Sequence, residues 1–286
     1  MMLCSFLPQA LLFLWGGVKT FGNYYKRRIN RIYPTVFAWA LLHGLFWGSD
    51  KGFLEVLISG GGWFVSCIMI YYVALYFVRK YCLKHLKFLL IGCLAISFAL
   101  YPLFRVGEHF NIYGDTYYKW IFFFVFMLQG AILGLKIKTQ PLTNVNAMSE
   151  TMKIAGCIVC FYGLCAFKAT ENYNFLQILS LIPLLCTTNY IYRWCNVDKI
   201  KEVYLYTKFG WVMNFIGSLC LEIYLVQVCL FTDRLNYIFP LNIPIFLLAI
   251  LVLAYILRCM GRIWQQTFLE TDYNWREIFK FTNCQC

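Results

Sequence analysis

Three arginines that could bind phosphate, Arg27, Arg28 and Arg31, lie near the start of the chain. Together with Lys26 they place four positive charges within six residues, between two apolar segments and with no acidic residue nearby. Such a cluster is costly inside hydrocarbon, so it predicts a position at a membrane face. Guanidinium groups bind phosphate oxygens in a fork, and the cluster therefore favours a clamp for a phosphorylated ligand. The alternative is a positive-inside anchor that sets topology alone.

The residues after the cluster predict where the next helix begins. Pro34 stands at the start of an apolar segment, a position that suits the first turn of a helix. The arginines are then expected in a loop that ends at Arg31. Arg28 and Arg31 are three residues apart, so on one helical turn they would share a face.

Glu222 is the one acid that the sequence places well inside an apolar stretch. An acid in that position is usually paired or faces a wet cavity, because a charge in lipid costs a few kcal/mol. Glu222 is therefore a candidate catalytic or substrate-orienting residue, and Tyr224 and Gln227 of the same stretch are candidate substrate ligands. The alternative for this stretch is hydrogen bonding between helices.

His43 is a second candidate for catalysis. It follows Arg31 by 12 residues, which is about 18 Å of helix. Histidine is the natural base for removing the proton of a hydroxyl group near neutral pH. The alternative is a structural histidine near the end of a span.

Trp63 follows three consecutive glycines, Gly60–Gly62. A flexible glycine turn that presents an indole ring would suit the stacking of a sugar. The alternative is a tryptophan of the interfacial aromatic belt.

The composition indicates the kind of fold that holds these residues. The chain has 286 residues, of which 61% are hydrophobic and 13% charged, whereas soluble domains are roughly a quarter charged. We therefore expect an all-α, polytopic bundle that forms a single integral-membrane domain over residues 1–286, since spanning helices need about 17 to 25 residues. About nine spans are predicted: Met2–Val18, Tyr33–Trp47, Gly61–Val78, Phe88–Phe104, Trp120–Leu135, Ile154–Phe167, Phe175–Tyr192, Trp211–Phe231 and Leu241–Leu257.

The basic residues predict the orientation of these spans. Most of the 25 Lys and Arg residues fall in alternate short loops, which the positive-inside rule places in the cytoplasm together with the C-terminus. This distribution also explains the net charge of +12 without nucleic-acid binding. The 14 cysteines lie in apolar stretches or inside loops, which favours reduced thiols, and no metal site is predicted. Five basic residues remain for the outside loops: Lys51, Arg105, Lys119, Lys168 and Arg234.

Three motifs, in this order, resemble the acyltransferase 3 family of membrane O-acyltransferases. Arg27–Pro34 is similar to the family's twin-arginine loop, and Trp63-Phe64 opens a helix that continues through Tyr71-Tyr72, like the family's Trp-Phe segment. Ser218–Gln227 resembles the late Ser-x-x-x-Tyr-Leu-x-His or Gln helix. The resemblance covers essentially the whole chain.

The resemblance implies a bundle of about ten spans that transfers an acyl group, commonly acetyl, from acyl-coenzyme A to an extracytoplasmic sugar. Arg27, Arg28 and Arg31 would then hold the phosphates of the coenzyme. The acceptor would be a cell-surface glycan or its lipid-linked precursor, and the site would be the inner membrane of a bacterium. The family carries a histidine on a first helix that no motif of this chain matches, so the chain is expected to be one helix short of the family.

Two other functions are compatible with the same residues. A transporter or flippase for a polar lipid or sugar would also need many spans, an internal acid and cationic loops, although neither inverted repeats nor paired broken helices are evident. A truncated remnant without activity is the other alternative. The sequence makes no prediction of the acceptor sugar or of the oligomeric state.

Overall fold

The structure is a computed structural model that describes residues 20–46, 53–60, 63–104, 111–114, 117–139, 145–167, 171–230, 232–268 and 272–281. The regular structure within these ranges is entirely helical, which confirms the all-α fold. The predicted span Met2–Val18 lies outside the described residues.

The α-helices are numbered along the described chain. They are α1 (Phe21–Phe46), α2 (Phe53–Ser59), α3 (Trp63–Tyr81), α4 (Leu86–Phe104), α5 (Lys119–Thr139), α6 (Ala147–Ala166), α7 (Leu181–Cys195), α8 (Asp198–Tyr206), α9 (Lys208–Ser218), α10 (Cys220–Leu230), α11 (Asn242–Thr267) and α12 (Trp275–Ile278). Short 3-10 helices cover Leu83–His85, Glu171–Ser180 and Asp233–Ile238.

Six helical segments of the described chain are long and apolar enough to cross a membrane. They are Trp63–Tyr81, Leu83–Phe104, Lys119–Lys136, Ala147–Ala166, Phe175–Cys195 and Asn242–Thr267. The bent pair α9–α10 makes a seventh if it is counted as one span. Residues 33–46 of the predicted span Tyr33–Trp47 fall in α1, which is 26 residues long and is not among these segments. The total of nine spans stays a prediction.

Two predicted boundaries are wrong. Helix α1 begins at Phe21, so the arginine cluster is helical rather than a loop, and Pro34 lies inside the helix. Long arginine side chains can extend their charges away from an apolar surface, which lets a helix continue past the apolar run. The predicted span Trp211–Phe231 is not one helix, because α9 and α10 meet at a bend of 60°.

The described residues pack as two compact units, of which residues 77–207 form one. In this unit α4 packs against α5, and α6 forms a hairpin with α7. Gln129 of α5 connects to α7 through its side-chain amide. Its Nε2 donates to the carbonyl oxygen of Leu185 at 2.8 Å, and its Oε1 accepts from Thr188 Oγ1 at 2.9 Å. Such hydrogen bonds are a common means of joining helices in an apolar environment.

The other unit contains residues 20–76 and 208–281 in their described parts. Helix α11 packs along both α1 and α10, and α2 packs against α1. The closest approach of α11 to α1 is at Gly261, where a Cβ atom would lie 2.9 Å from Thr35 Oγ1, 3.2 Å from Thr35 Cα and 3.3 Å from Thr35 N. Two of these three atoms are backbone, so only a glycine fits without a shift of the helix. This contact brings the arginine cluster of α1 beside α11.

Replacing Gly261 by alanine should therefore lower the free energy of unfolding by about 1 to 3 kcal/mol, the usual cost of overpacking a tight contact. Unfolding of the purified protein in mixed micelles, titrated with a denaturing detergent, measures the change. Gly44→Ala is the matched control, because a Cβ at Gly44 would meet nothing within 4 Å. Equal stabilities of the two variants would contradict the close contact.

Candidate active site

The arginine cluster occupies the first turns of α1, and its three members have different surroundings. Arg27 and Arg31 are exposed, whereas Arg28 is half-buried. The guanidinium carbon of Arg28 lies 5.4 Å from the ring centre of Tyr24 and 4.7 Å from that of Tyr72. Stacking of a guanidinium on aromatic rings holds its plane in a fixed orientation.

Arg28 and Arg31 both face Tyr72, as their spacing of three residues predicts. Tyr72 is buried with an exposed fraction of 2%. Its hydroxyl is hydrogen-bonded to Arg28, and both arginines act on it electrostatically. The two guanidinium groups therefore belong to one site, where Tyr72 of α3 meets α1.

The bend between α9 and α10 builds the second part of the site. Ser218 ends α9, and its Oγ donates to the carbonyl oxygen of Phe215 at 2.7 Å. The same oxygen accepts a hydrogen bond from Nη1 of Arg258 in α11. Leu219, at the bend itself, is fully buried. An arginine of a neighbouring helix thus holds the broken span at the bend.

Glu222 lies in the first turn of α10, directly after the bend. Its exposed fraction is 6%, and Oε2 is buried without a hydrogen-bond partner. The charged groups near its carboxyl group are those of Arg258, Arg262 and Arg31. Glu222 therefore lies near arginines of α1 and α11, and this arrangement brings the Arg27–Arg31 motif near the Ser218–Gln227 motif.

Arg258 and Arg262 are held by residues 272–281, which we call the C-terminal segment. Arg258 is buried, with an exposed fraction of 4%, and its Nη1 also reaches the carbonyl oxygen of Phe281 at 3.4 Å. Nη1 of Arg262 donates to three carbonyl oxygens of the segment. They belong to Glu277, Ile278 and Lys280, at 3.0, 2.8 and 2.7 Å.

Aromatic packing fixes the same segment to α11. Tyr255 donates its hydroxyl to the carbonyl oxygen of Phe279 at 2.8 Å, and its ring stacks on Phe281 with ring centres 5.0 Å apart. Backbone oxygens of the C-terminal segment therefore hold Arg262, and Arg258 is held by Ser218 Oγ together with the carbonyl oxygen of Phe281.

The predicted substrate residues Trp63 and Tyr224 both contact the ring of Phe64. The ring of Tyr224 is 4.5 Å from that of Phe64, and the ring of Trp63 meets Phe64 edge-on at 6.2 Å. Trp63 and Tyr224 are half-buried and Phe64 is buried. We call these three residues the aromatic group.

Gly60 explains how α3 approaches α10 at the aromatic group. Its φ is +67°, in the left-handed region, and a Cβ there would lie 2.9 Å from Leu225 Cδ2 and 2.7 Å from Val65 Cγ2. The backbone conformation therefore favours a glycine, and a Cβ atom would also require the side chains of Val65 and Leu225 to shift. Gln227, half-buried, lies about 7.5 Å further along α10 than Glu222.

His43 lies near the end of α1, away from the arginines. The continuous helix from Arg31 to His43 sets about 18 Å between them. The imidazole is half-buried and meets the ring of Trp39 edge-on, with ring centres 5.7 Å apart. The structure thus places Arg31 near Glu222 of α10, and it places His43 further along α1, away from Arg31.

A comparison against protein families agrees with the order of the motifs and with the helical fold. The family described as an acyltransferase domain, acyltransferase 3, matches residues 3–259. The chain belongs to the acyltransferase 3 family. It is an integral membrane acyltransferase that transfers groups other than amino-acyl groups. No curated protein and no solved structure is a match for this chain.

Arg258, Arg262 and Ser218 are the residues of this acyltransferase site that the sequence analysis did not single out. Arg258 and Arg262 counted only as loop charges on the inner side, because the predicted span ended at Leu257. Helix α11 continues to Thr267, so both arginines are helical. Cys259-Met260 between them and Ile263-Trp264 after them are apolar, and this pattern was the available signal.

Proposed function

We propose that this membrane acyltransferase transfers an acyl group, in the first instance acetyl, from acyl-coenzyme A to a hydroxyl group of a cell-surface glycan or its lipid-linked precursor. The proposal rests on one observation above all. Arg258, Arg262 and Arg31 lie near the buried carboxyl group of Glu222, and Arg28 and Arg31 both lie at Tyr72.

The charges of this cluster favour a polyanionic ligand. One carboxyl group cannot balance the guanidinium groups of Arg31, Arg258 and Arg262, so the site keeps a surplus of positive charge where water is partly excluded. Phosphate groups are the anions that guanidinium groups bind best, in a fork of two hydrogen bonds. The pyrophosphate and the 3′-phosphate of coenzyme A supply such charges. Arg27 and Arg31 are exposed and can reach a ligand that arrives from water.

The aromatic group provides the matching surface for the acceptor. Trp63 and Tyr224 leave part of their rings exposed, and sugar rings stack on such faces through their C–H groups. Gln227, two turns beyond the bend, offers an amide that can both donate to and accept from sugar hydroxyl groups. The donor and acceptor ends of the proposed site are therefore joined by α10.

The proposed reaction is a direct attack on the thioester. The hydroxyl oxygen of the acceptor bonds to the carbonyl carbon, a base removes the hydroxyl proton, and the C–S bond breaks. Coenzyme A leaves as the thiol after it gains a proton. His43 is the proposed base, and the pantetheine arm has to cover the distance of about 18 Å from Arg31. Glu222 is proposed to orient the guanidinium groups.

The experiment that tests donor binding compares two ligands on one variant. Arg31→Ala should weaken the binding of acetyl-coenzyme A by about 1.5 to 3 kcal/mol, because one charge-assisted contact with a phosphate is lost. Binding of an acetyl pantetheine thioester that lacks the nucleotide should change little. Arg31→Lys should restore only part of the affinity, since an ammonium group cannot form the fork. Calorimetric titration gives the affinities of the unmodified protein and of both variants for the two ligands.

Equal losses of affinity for acetyl-coenzyme A and for the pantetheine thioester would show that Arg31 does not bind the nucleotide part of the donor. No binding of acetyl-coenzyme A by the unmodified chain would overturn the proposed donor altogether.

The proposed location is the bacterial inner membrane, with the arginine cluster and the C-terminus in the cytoplasm. The positive-inside rule applied to short loops supports this orientation. In a chain without native cysteines, Lys84→Cys should resist an impermeant thiol reagent in intact cells, whereas Asp233→Cys should react with it. Both positions should react after the cells are opened. Labelling of position 84 but not 233 in intact cells would reverse the topology.

A further inference from the structure

Two basic side chains share one buried acid at the polar end of the α6–α7 hairpin. Oε1 of Glu150 lies 3.0 Å from Lys153 Nζ and 3.0 Å from Arg193 Nη2. The two nitrogen atoms are therefore no more than twice this distance apart. Glu150 is buried, whereas the side chains of Lys153 and Arg193 are 42% and 40% exposed. One carboxylate balances only one of the two cations, so a positive charge remains at the surface.

Neighbouring side chains hold this pair of cations between the two helices. Nζ of Lys153 lies 5.6 Å from the ring centre of Tyr190 in α7. The residue after Arg193, Trp194, donates from Nε1 to Thr151 Oγ1 of α6 at 3.1 Å. Within the described chain, neither cation has a second acidic partner. The surplus charge is thus held in one place and is available to an anion.

The position of the two cations indicates which anion can reach them. Ala147–Ala166 and Phe175–Cys195 are both candidate membrane spans, and Lys153 lies in the second turn of the first and Arg193 in the last turn of the second. This end of the hairpin therefore lies at a membrane face, near the depth of lipid headgroups. From there an exposed apolar face runs along α6. Its large side chains are Met148, Met152, Val159 and Tyr162.

We propose that Lys153 and Arg193 bind the phosphate group of an anionic membrane phospholipid, whose acyl chains lie along the exposed face of α6. Phosphate oxygens can accept from an ammonium and a guanidinium group at once. Basic pockets between membrane-spanning helices commonly bind phospholipid headgroups. Phosphatidylcholine should bind less well, because its own cationic group opposes the surplus positive charge. The inference does not depend on the proposed acyl donor, since no residue of the arginine cluster takes part.

Native mass spectrometry of the full-length protein, titrated with dioctanoyl phosphatidylglycerol in a nonionic detergent, measures this binding. Lys153→Met removes the surplus charge but leaves the pair of Glu150 and Arg193. It should weaken the affinity for the first bound lipid by about fivefold, the usual contribution of one basic residue near a membrane surface. Lys153→Arg should keep the affinity. Lys201→Met is the matched control and should change it less than about twofold, because Lys201 also follows an acid by three residues but that acid, Asp198, is exposed.

Glu150→Gln separates lipid binding from a purely structural role. The substitution removes the carboxylate that competes with the phosphate, so the surplus rises from one positive charge to two. Phosphatidylglycerol should then bind about fivefold more tightly, even though the loss of the ion pairs makes the hairpin less stable. A purely structural cluster predicts weaker or unchanged binding. Asp198→Asn makes the same change of charge in the exposed pair and should leave the affinity within about twofold.

A soluble phosphate distinguishes a lipid site from a general phosphate site. Glycerol 3-phosphate carries the phosphate group without acyl chains, so it leaves the apolar face of α6 uncovered. It should bind at least about a hundredfold more weakly than dioctanoyl phosphatidylglycerol. A comparable affinity for glycerol 3-phosphate would overturn the lipid as the occupant.

Three further results would each overturn the inference. They are equal effects of Lys153→Met and Lys201→Met, a failure of Glu150→Gln to tighten binding, and an equal affinity for dioctanoyl phosphatidylcholine. If Glu150→Gln does not fold, the comparison of Lys153→Met with Lys201→Met decides, because Lys153→Met keeps the pair of Glu150 and Arg193. Failure of the chain to bind acetyl-coenzyme A is a separate result that contradicts only the proposed donor.

Discussion

Replacing His43 by alanine should lower the rate of acyl transfer by about 10²- to 10⁴-fold, the usual contribution of a general base. The affinity for acetyl-coenzyme A should not change, because His43 lies about 18 Å along α1 from Arg31. Transfer of a radiolabelled acetyl group to a glycan acceptor by the purified protein in proteoliposomes measures the rate. Calorimetric titration of the same preparation measures donor affinity.

Two variants serve as controls for the His43 experiment. His85→Ala removes an exposed histidine of a short 3-10 helix and should leave the rate unchanged. Arg31→Ala should show the opposite pattern, with weakened donor binding and a rate at saturating donor that is closer to normal. Transfer that is unaffected by His43→Ala would remove the role of base from His43. So would a wild-type chain that binds the donor without transferring its acyl group.

The sequence predicts the helices of this protein well because each spanning helix is a local feature. A stretch of about 20 apolar residues has to satisfy its backbone hydrogen bonds internally, which only a helix does within one segment. The predicted span Phe88–Phe104 lies within α4, and Trp120–Leu135 lies within α5. The predicted ends of the helices are less accurate, because charged side chains such as Arg31 do not stop a helix.

The bend between α9 and α10 was not predicted, although the sequence contains a signal for it. Gly217-Ser218 stands directly before the bend, and Gly/Ser pairs are a recognised cause of sharp kinks. The apolar run from Trp211 to Phe231 concealed it, because hydropathy does not distinguish a straight span from a broken one. The bend matters because it presents Ser218 to Arg258 and places Glu222 directly after it.

The charged groups near Glu222 could not be predicted from the sequence at all. Arg258 follows it by 36 residues and Arg31 precedes it by 191, and no periodicity relates residues on different helices. The burial of Glu222 was predictable from its apolar neighbours. Which charges compensate it depends on helix packing, above all on the contact between Gly261 and Thr35.

The burial of Glu150, in the unit formed by residues 77–207, is a second feature that could not be predicted from the sequence. The sequence places it before the predicted span Ile154–Phe167, where an acid would be exposed. Helix α6 instead begins at Ala147, and its hairpin with α7 buries Glu150 to an exposed fraction of 2%. Oε1 of Glu150 accepts from Lys153 Nζ and Arg193 Nη2, each at 3.0 Å. Tertiary packing, not the local pattern, makes this acid a core residue.

Replacing Glu150 by alanine should lower the free energy of unfolding by about 1.5 to 3 kcal/mol, the usual contribution of hydrogen bonds to a charged group. The larger cost of an uncompensated buried charge does not arise. The side chains of Lys153 and Arg193 are 42% and 40% exposed, so their charges can regain water. The substitution also removes an acid from the first turn of α6, where it favours the helix dipole. Unfolding in mixed micelles, titrated with a denaturing detergent, measures the change.

Asp198→Ala is the matched control for Glu150→Ala. Asp198 also lies in the first turn of a helix and faces a lysine three residues on, but its side chain is 90% exposed and 4.0 Å from Lys201. An exposed pair of this kind contributes at most about 1 kcal/mol. Both acids precede their lysine by three residues, so sequence spacing does not distinguish the two pairs. Only their burial differs. A loss of stability in Glu150→Ala that is no larger than in Asp198→Ala would contradict the α6–α7 ion cluster, whereas a large difference would show that the hairpin depends on this single carboxylate.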